Sequence, residues 1–173
     1  GETKEFEDAQ KEYKKVMRSG LAGVKKGLAP ETIRRIRKVD YLIGLYQKGI
    51  QSESGYMELH HNLGNLYAAI GRFPEAVEAN KKALMIDPKF KDAHCGIGDV
   101  YVEVGDAALA IYAYEQAMRL HPDDEDLYIY VVKAYTAAIE KNPKASLYIE
   151  ARSNALARYV AVVDKNRPRA TAY

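Results

Sequence analysis

Met57–Phe90 and Lys91–Asp124 are two copies of one pattern, offset by 34 residues. Eight positions are identical: His60/His94, Gly64/Gly98, Tyr67/Tyr101, Gly71/Gly105, Ala76/Ala110, Ala79/Ala113, Ala83/Ala117 and Pro88/Pro122. Conservative pairs such as Leu63/Ile97, Val77/Ile111 and Ile86/Leu120 fall between them. A repeat of this length means one supersecondary unit used again, each copy too small to bury its apolar face without a neighbour. That requirement narrows the chain to stacked units before any other property is weighed.

Each residue type has a physical task inside the unit. From Met57 to Ile70, the residues Leu63, Tyr67 and Ile70 recur at helical spacing and make one apolar stripe. Gly71 interrupts it, since glycine takes the positive φ that ends a helix without steric cost. Pro74 suits a first helical turn, where an N–H has no partner, and a second helix is expected over Glu75–Ile86. Asp87-Pro88 closes it, because proline pushes the preceding residue out of helical geometry. Gly64, Ala76 and Ala83 are small enough to let two antiparallel helices approach closely. The unit is therefore expected to be a helical hairpin. In the next copy Gly105-Asp106 is the inner turn and His121-Pro122-Asp123-Asp124 the outer one, with Asp123 and Asp124 as N-caps.

The pattern Leu63-Gly64-x-x-Tyr67, Gly71, Ala76, Ala83, Pro88 resembles the tetratricopeptide repeat, whose period is also 34. The first copy meets six of the eight family signature positions and departs at His60 and Asn80. The second meets seven (Ile97, Gly98, Tyr101, Ala110, Tyr114, Ala117 and Pro122) and departs at His94. The resemblance implies an all-α fold, a right-handed superhelical solenoid of antiparallel helix pairs. These two copies cover 68 of the 173 residues.

The flanks keep the register with less fidelity. Over 125–164 a degenerate repeat is expected, with Tyr128, Val131, Tyr135, Tyr148 and Ala151 on signature positions, but Val132 replacing glycine and Lys144 replacing alanine. Asn142-Pro143 separates its helices, and the second runs on through Leu156, Tyr159 and Val163 to Asp164 as a C-terminal capping helix. Solenoids need such a cap because the last unit has no neighbour. Residues 165–173 are left as a tail. Upstream, 23–56 reads as a degenerate repeat dominated by one long helix, Glu31–Gln51, with Ile33, Ile36, Ile43, Tyr46 and Ile50 along a stripe. An N-terminal helix is expected within 1–22, carrying Phe6, Tyr13 and Met17, with a glycine-containing connector over Ser19–Ala29.

Charge separates along the chain, although the total is only +2. Residues 1–50 carry 12 basic and 7 acidic side chains, residues 51–143 carry 8 and 15, and residues 144–173 carry 6 and 2. A basic–acidic–basic arrangement bears on partner choice through electrostatic steering rather than on fold. Hydrophobic content of 47% with 29% charged residues is that of a folded domain, and this length can bury roughly 70% of its unfolded surface. The lone Cys95 excludes an internal disulfide framework and a cysteine-based zinc site, and leaves the compartment open. No run of about 18 apolar residues exists to span a bilayer. The missing initiator Met leads us to expect a start trimmed upstream, where a targeting segment or anchor would lie.

In the tetratricopeptide family the first helix of each unit lines a concave groove that holds a peptide or helix of another protein. The resemblance places Glu58, His61, Asn62, Asn65 and Ala69 on that groove, then Asp92, Cys95, Asp99, Val102 and Glu103. The degenerate unit adds Asp126, Ile129, Tyr130, Lys133 and Ala137. Five carboxylates against one lysine predict an acidic groove that favours a basic or amphipathic segment. Chaperone-binding members grip a C-terminal carboxylate with lysine, arginine and asparagine at fixed positions. Asn65 fits one of these, but His61 stands where lysine is expected, Gly96 replaces an asparagine, and Asp126 and Tyr130 replace lysine and arginine. No carboxylate clamp of that type is expected.

Other chemistry is outweighed by structural readings. His60 and His94 occupy one equivalent position, where the family packs a bulky residue, so packing is favoured over metal ligation. Asp123-Asp124-Glu125-Asp126 reads as a capped, dipole-compensated helix start rather than a cation site. The recurring tyrosines 67, 101 and 135 are packing residues. No catalytic triad spacing, phosphate-binding glycine loop or HExxH motif is present, and no enzyme activity, metal or cofactor is expected. The competing feature is the basic patch Arg34, Arg35, Arg37 and Lys38, three of which share a helical face and could engage nucleic acid or an anionic membrane surface. That basic N-terminal region could also meet the acidic groove of a second copy, giving self-association. The leading expectation is a non-enzymatic interaction scaffold or assembly adaptor.

Overall fold

The computed structural model describes residues 30–52 and 55–167, with side chains from residue 37 onward. Among these residues there are seven α-helices and no strand: α1 Pro30–Ser52, α2 Met57–Ala69, α3 Phe73–Ile86, α4 Lys91–Val104, α5 Ala107–Leu120, α6 Glu125–Lys141 and α7 Ser146–Asn166. The helix expected within 1–22 lies outside the described residues, as does the tail beyond Arg167. The chain divides into two compact units, the first ending at Gly96 and the second beginning at Ile97, so the division falls inside α4.

In the first unit α2 packs against both α1 and α3. The long helix expected over Glu31–Gln51 is present as α1, and its buried residues are Val39, Leu42, Ile43 and Tyr46. Ile50, placed on that stripe from spacing alone, is only half-buried. Helix α2 buries Leu59, Leu63, Leu66 and Tyr67, and a fully buried leucine of this kind contributes about 1.5–3 kcal/mol. It ends at Gly71, whose φ of 79° is the left-handed conformation that glycine adopts freely. There the N–H groups of Gly71 and Arg72 return to the carbonyls of Ala68 and Tyr67. Helix α3 starts two residues earlier than expected, at Phe73, with Pro74 in its first turn. Its Ala76, Ala79 and Ala83 are buried. The close approach predicted for Gly64 is real: a Cβ there would lie 3.1 Å from the Ala76 carbonyl oxygen.

In the second unit α6 packs against α5 and α7. Gly105, with φ of 83°, closes α4, and Asp106 caps α5 by accepting the Leu109 N–H at 3.1 Å. Helix α5 buries Ala110, Ile111, Ala113, Tyr114, Ala117 and Met118. Helix α6 buries Leu127, Tyr128, Val131, Ala134, Tyr135 and Ala138. The Tyr135 hydroxyl donates to Glu115 Oε1. Burial, reinforced by that carboxylate, pushes the Tyr135 phenol above its ordinary range. Of the three recurring tyrosines, Tyr67 and Tyr135 are core residues, whereas Tyr101 is half-buried.

Two expectations at the outer turn change. Asp124 caps α6 by accepting the Asp126 N–H at 3.1 Å, but Asp123 does not share that role. Asp123 instead pairs with Lys165 at 2.7 Å. Beside it, the Asn166 side-chain amide donates to the Asp123 carbonyl and to Glu125 Oε1. These contacts hold α7 to Asn166, two residues past the expected end at Asp164.

Candidate functional site

The positions predicted to line a groove all reach the surface. In the first unit Glu58 on α2 and Asp92 at the start of α4 are exposed, and His61, Asn62, Asn65 and Cys95 are half-buried. In the second unit Asp99 and Glu103 on α4, and Asp126, Tyr130 and Lys133 on α6, are exposed. Their neighbours on the same helices, Leu59, Leu63, Ala93, Val100, Leu127 and Val131, form core. A helix that buries one stripe turns the opposite one outward, so these faces follow from the packing of α2, α4 and α6.

The first-unit face is built around an ordered polar chain. His61 Nδ1 lies 2.8 Å from Asn80 Oδ1, and its Nε2 lies 3.0 Å from Asn65 Nδ2. Asn80 Nδ2 donates in turn to the Ala76 carbonyl at 3.0 Å. The His61 ring meets Phe90 edge-on, with centroids 5.6 Å apart. Sequence reasoning counted Asn80 only as a departure from the family pattern. It is 1% exposed, the most deeply buried polar side chain among the described residues. The available signal was Gly96: an amide in place of an aromatic ring coincides with a glycine where the partner position would otherwise carry a side chain.

The second-unit face shows the aromatic version of the same contact. Tyr114, equivalent to Asn80, donates its hydroxyl to Asp99 Oδ1 at 2.6 Å. Its ring stacks on Tyr130, equivalent to Gly96, at 5.5 Å. Tyr114 thus links Asp99 on α4 with Tyr130 on α6, placing a carboxylate and an aromatic surface beside each other. A Cβ at Gly98 would run into the Tyr114 ring, which explains the glycine.

His60 is buried and His94 has a structural use. His94 Nε2 lies 3.0 Å from the Pro88 carbonyl, and Tyr128, its equivalent one unit on, donates to the Pro122 carbonyl at 2.9 Å. Among the described residues no three His, Cys, Asp or Glu side chains are grouped as metal ligands would be. In the basic patch, Arg37 is exposed and Lys38 half-buried on α1, while the side chains of Arg34 and Arg35 lie outside the described set. No described helix is long and apolar enough to cross a membrane. A shallow cavity of about 500 Å³ in the second unit is lined by Gly105, Asp106, Ala138, Asn142 and Tyr148, and Lys141 crosses it to the Gly105 carbonyl.

Comparison with known proteins identifies the repeat. Family models described as "TPR repeat" and "Tetratricopeptide repeat" match residues 64–105 and 92–124. No curated protein sequence matches the chain. Among solved structures, the crystal structure of the MamA protein is similar with a TM-score of 0.64 at 20% identity, over 83% of this chain and 74% of that one. The first TPR of Spaghetti (RPAP3), bound to the HSP90 peptide SRMEEVD, has a TM-score of 0.54 at 21% identity over 58% of this chain and 80% of that one. The second TPR domain of human RPAP3, in complex with the HSP70 peptide SGPTIEEVD, gives 0.56 at 16% identity over 78% and 98%. Paired helices, the recurring glycine and alanine contacts and these matches together show that residues 64–124 carry tetratricopeptide repeats and that the chain has the all-α solenoid fold of such repeats.

Proposed function

We propose that this protein is a non-enzymatic interaction scaffold that holds a basic or amphipathic segment of a partner protein along the acidic first-helix faces of its repeats. Protein–protein interaction is the role that the repeat family and its peptide-bound structural neighbours support. The carrying observation is the side-chain inventory of those faces. Glu58 and Asp92 stand exposed in the first unit, and Asp99, Glu103 and Asp126 outnumber Lys133 in the second. Exposed pairs are worth about 1 kcal/mol or less each, so the carboxylates select and steer, while the affinity comes from apolar contact. Tyr130, Ile129 and Val102, each more than a third exposed, offer that contact in the second unit.

The RPAP3 domains are bound to HSP90 and HSP70 peptides, and the carboxylate clamp that the resemblance implies for chaperone-binding members is not expected here, where Asn65 alone fits it. His61, Gly96, Asp126 and Tyr130 occupy positions that such recognition fills with lysine, asparagine and arginine. Two tests follow. The D99K/E103K variant is expected to lose capture of a basic amphipathic peptide, and raising salt is expected to weaken the wild type in the same direction. Unchanged binding by the variant would reject the acidic faces as the site.

A further inference from the structure

Asn80 is buried in a slot made by two glycines. A Cβ at Gly64 would lie 2.5 Å from its Nδ2, and one at Gly96 would lie 2.9 Å from its Oδ1, so both ends of the amide are confined. Hydrogen-bond polarity then propagates outward from the backbone. The Ala76 carbonyl can only accept, which assigns Nδ2 to it at 3.0 Å and turns Oδ1 toward His61. An amide oxygen also only accepts, so the proton of the neutral imidazole must sit on Nδ1, 2.8 Å away. Nε2 is left as the acceptor, and it meets the Asn65 amide nitrogen at 3.0 Å. Donation runs in one direction, from Asn65 to His61 to Asn80 to the Ala76 carbonyl.

We propose that Asn80 is a positioning residue that sets the tautomer of His61 and thereby decides what the first-unit face can bind. Deepening the scaffold reading on which it rests, this assignment denies an anionic end a donor from His61 and leaves the charge preference of the face to its carboxylates. Both ring nitrogens are engaged, Nδ1–H on Asn80 and Nε2 on the Asn65 amide, so the neutral ring has no N–H to give an approaching carboxylate. Glu58 and Asp92, exposed in the same unit, act in the same sense. An aromatic ring at position 80, as at Tyr114, offers no amide oxygen and would leave His61 to choose its own tautomer.

The test uses the full chain with ¹⁵N-labelled histidine, at about pH 8, where an ordinary imidazole is neutral. Long-range ¹H–¹⁵N spectra are expected to show His61 with Nδ1 protonated and Nε2 unprotonated. N65A, which removes the outer neighbour only, is expected to keep that tautomer. N80A is expected to lose it in favour of the Nε2–H form that a free histidine side chain prefers, with the helical circular dichroism retained. A wild-type spectrum with Nε2 protonated, a tautomer reversed by N65A, or one unmoved in folded N80A would each overturn the assignment. Wild type and N65A decide the matter even if N80A does not fold. Because this readout needs no partner, its failure is separate from a failure of D99K/E103K to change peptide capture.

Discussion

Position 80 and its equivalent at 114 show how one residue of a repeat dictates others. Asn80 lies between Gly64 and Gly96, whereas Tyr114 lies against Gly98 and stacks on Tyr130. Slot and occupant change together, and each site is close-packed. G64A is therefore expected to cost about 1–3 kcal/mol, read as a lower denaturation midpoint with unchanged slope. Gly71 and Gly105, with φ of 79° and 83°, have a different vulnerability. Alanine at either should cost about 1–2 kcal/mol through the left-handed backbone. Tyr135 gives a pH signature. Its folded phenol titrates above its unfolded value, so the folded state holds the proton longer. The associated stability is complete below about pH 10 and is lost as pH rises toward the folded value. Alkaline denaturation of Y135F should lack that component. The glycine and alanine contacts were legible in the sequence because they recur, while the Asn80–His61–Asn65 chain was not, since it occurs once and spans two helices.

At the scale of helices, capping and end contacts decide where each element stops. Asp106 accepts the Leu109 N–H at the start of α5, so D106A is expected to destabilise the second unit by about 0.5–2 kcal/mol in thermal or denaturant unfolding. K165A should change stability by no more than about 1 kcal/mol, because its pair with Asp123 is exposed on both sides. Helices α2 to α5 were readable nearly to the residue, since proline, glycine and aspartate punctuate both copies. The ends of α6 and α7 were harder. Asp123 looked like a cap in isolation, and only the arrival of Lys165 and Asn166 from α7 shows why Asp124 alone takes that role. On α1 spacing identified Ile43 and Tyr46 but placed Ile50, two residues from the helix end, too deep.

For the molecule as a whole, the repeat fixed the fold class, and charge supplies the functional argument. A near-neutral total conceals an acidic middle, residues 51–143, holding 15 acidic and 8 basic side chains. The groove candidates fall within that stretch, and every one of them reaches the surface in its own unit. The repeat fold alone would admit partners of either charge; the proposal of a cationic one rests on the excess of carboxylates and on the tautomer proposed for His61. The most direct test is selection of the wild-type chain against a displayed peptide library, repeated with D92K/D99K/E103K. Wild type should enrich basic amphipathic sequences in a salt-sensitive manner, and the variant should lose them. Enrichment of acidic or carboxylate-terminated peptides, or the same basic peptides recovered with both proteins, would contradict the account.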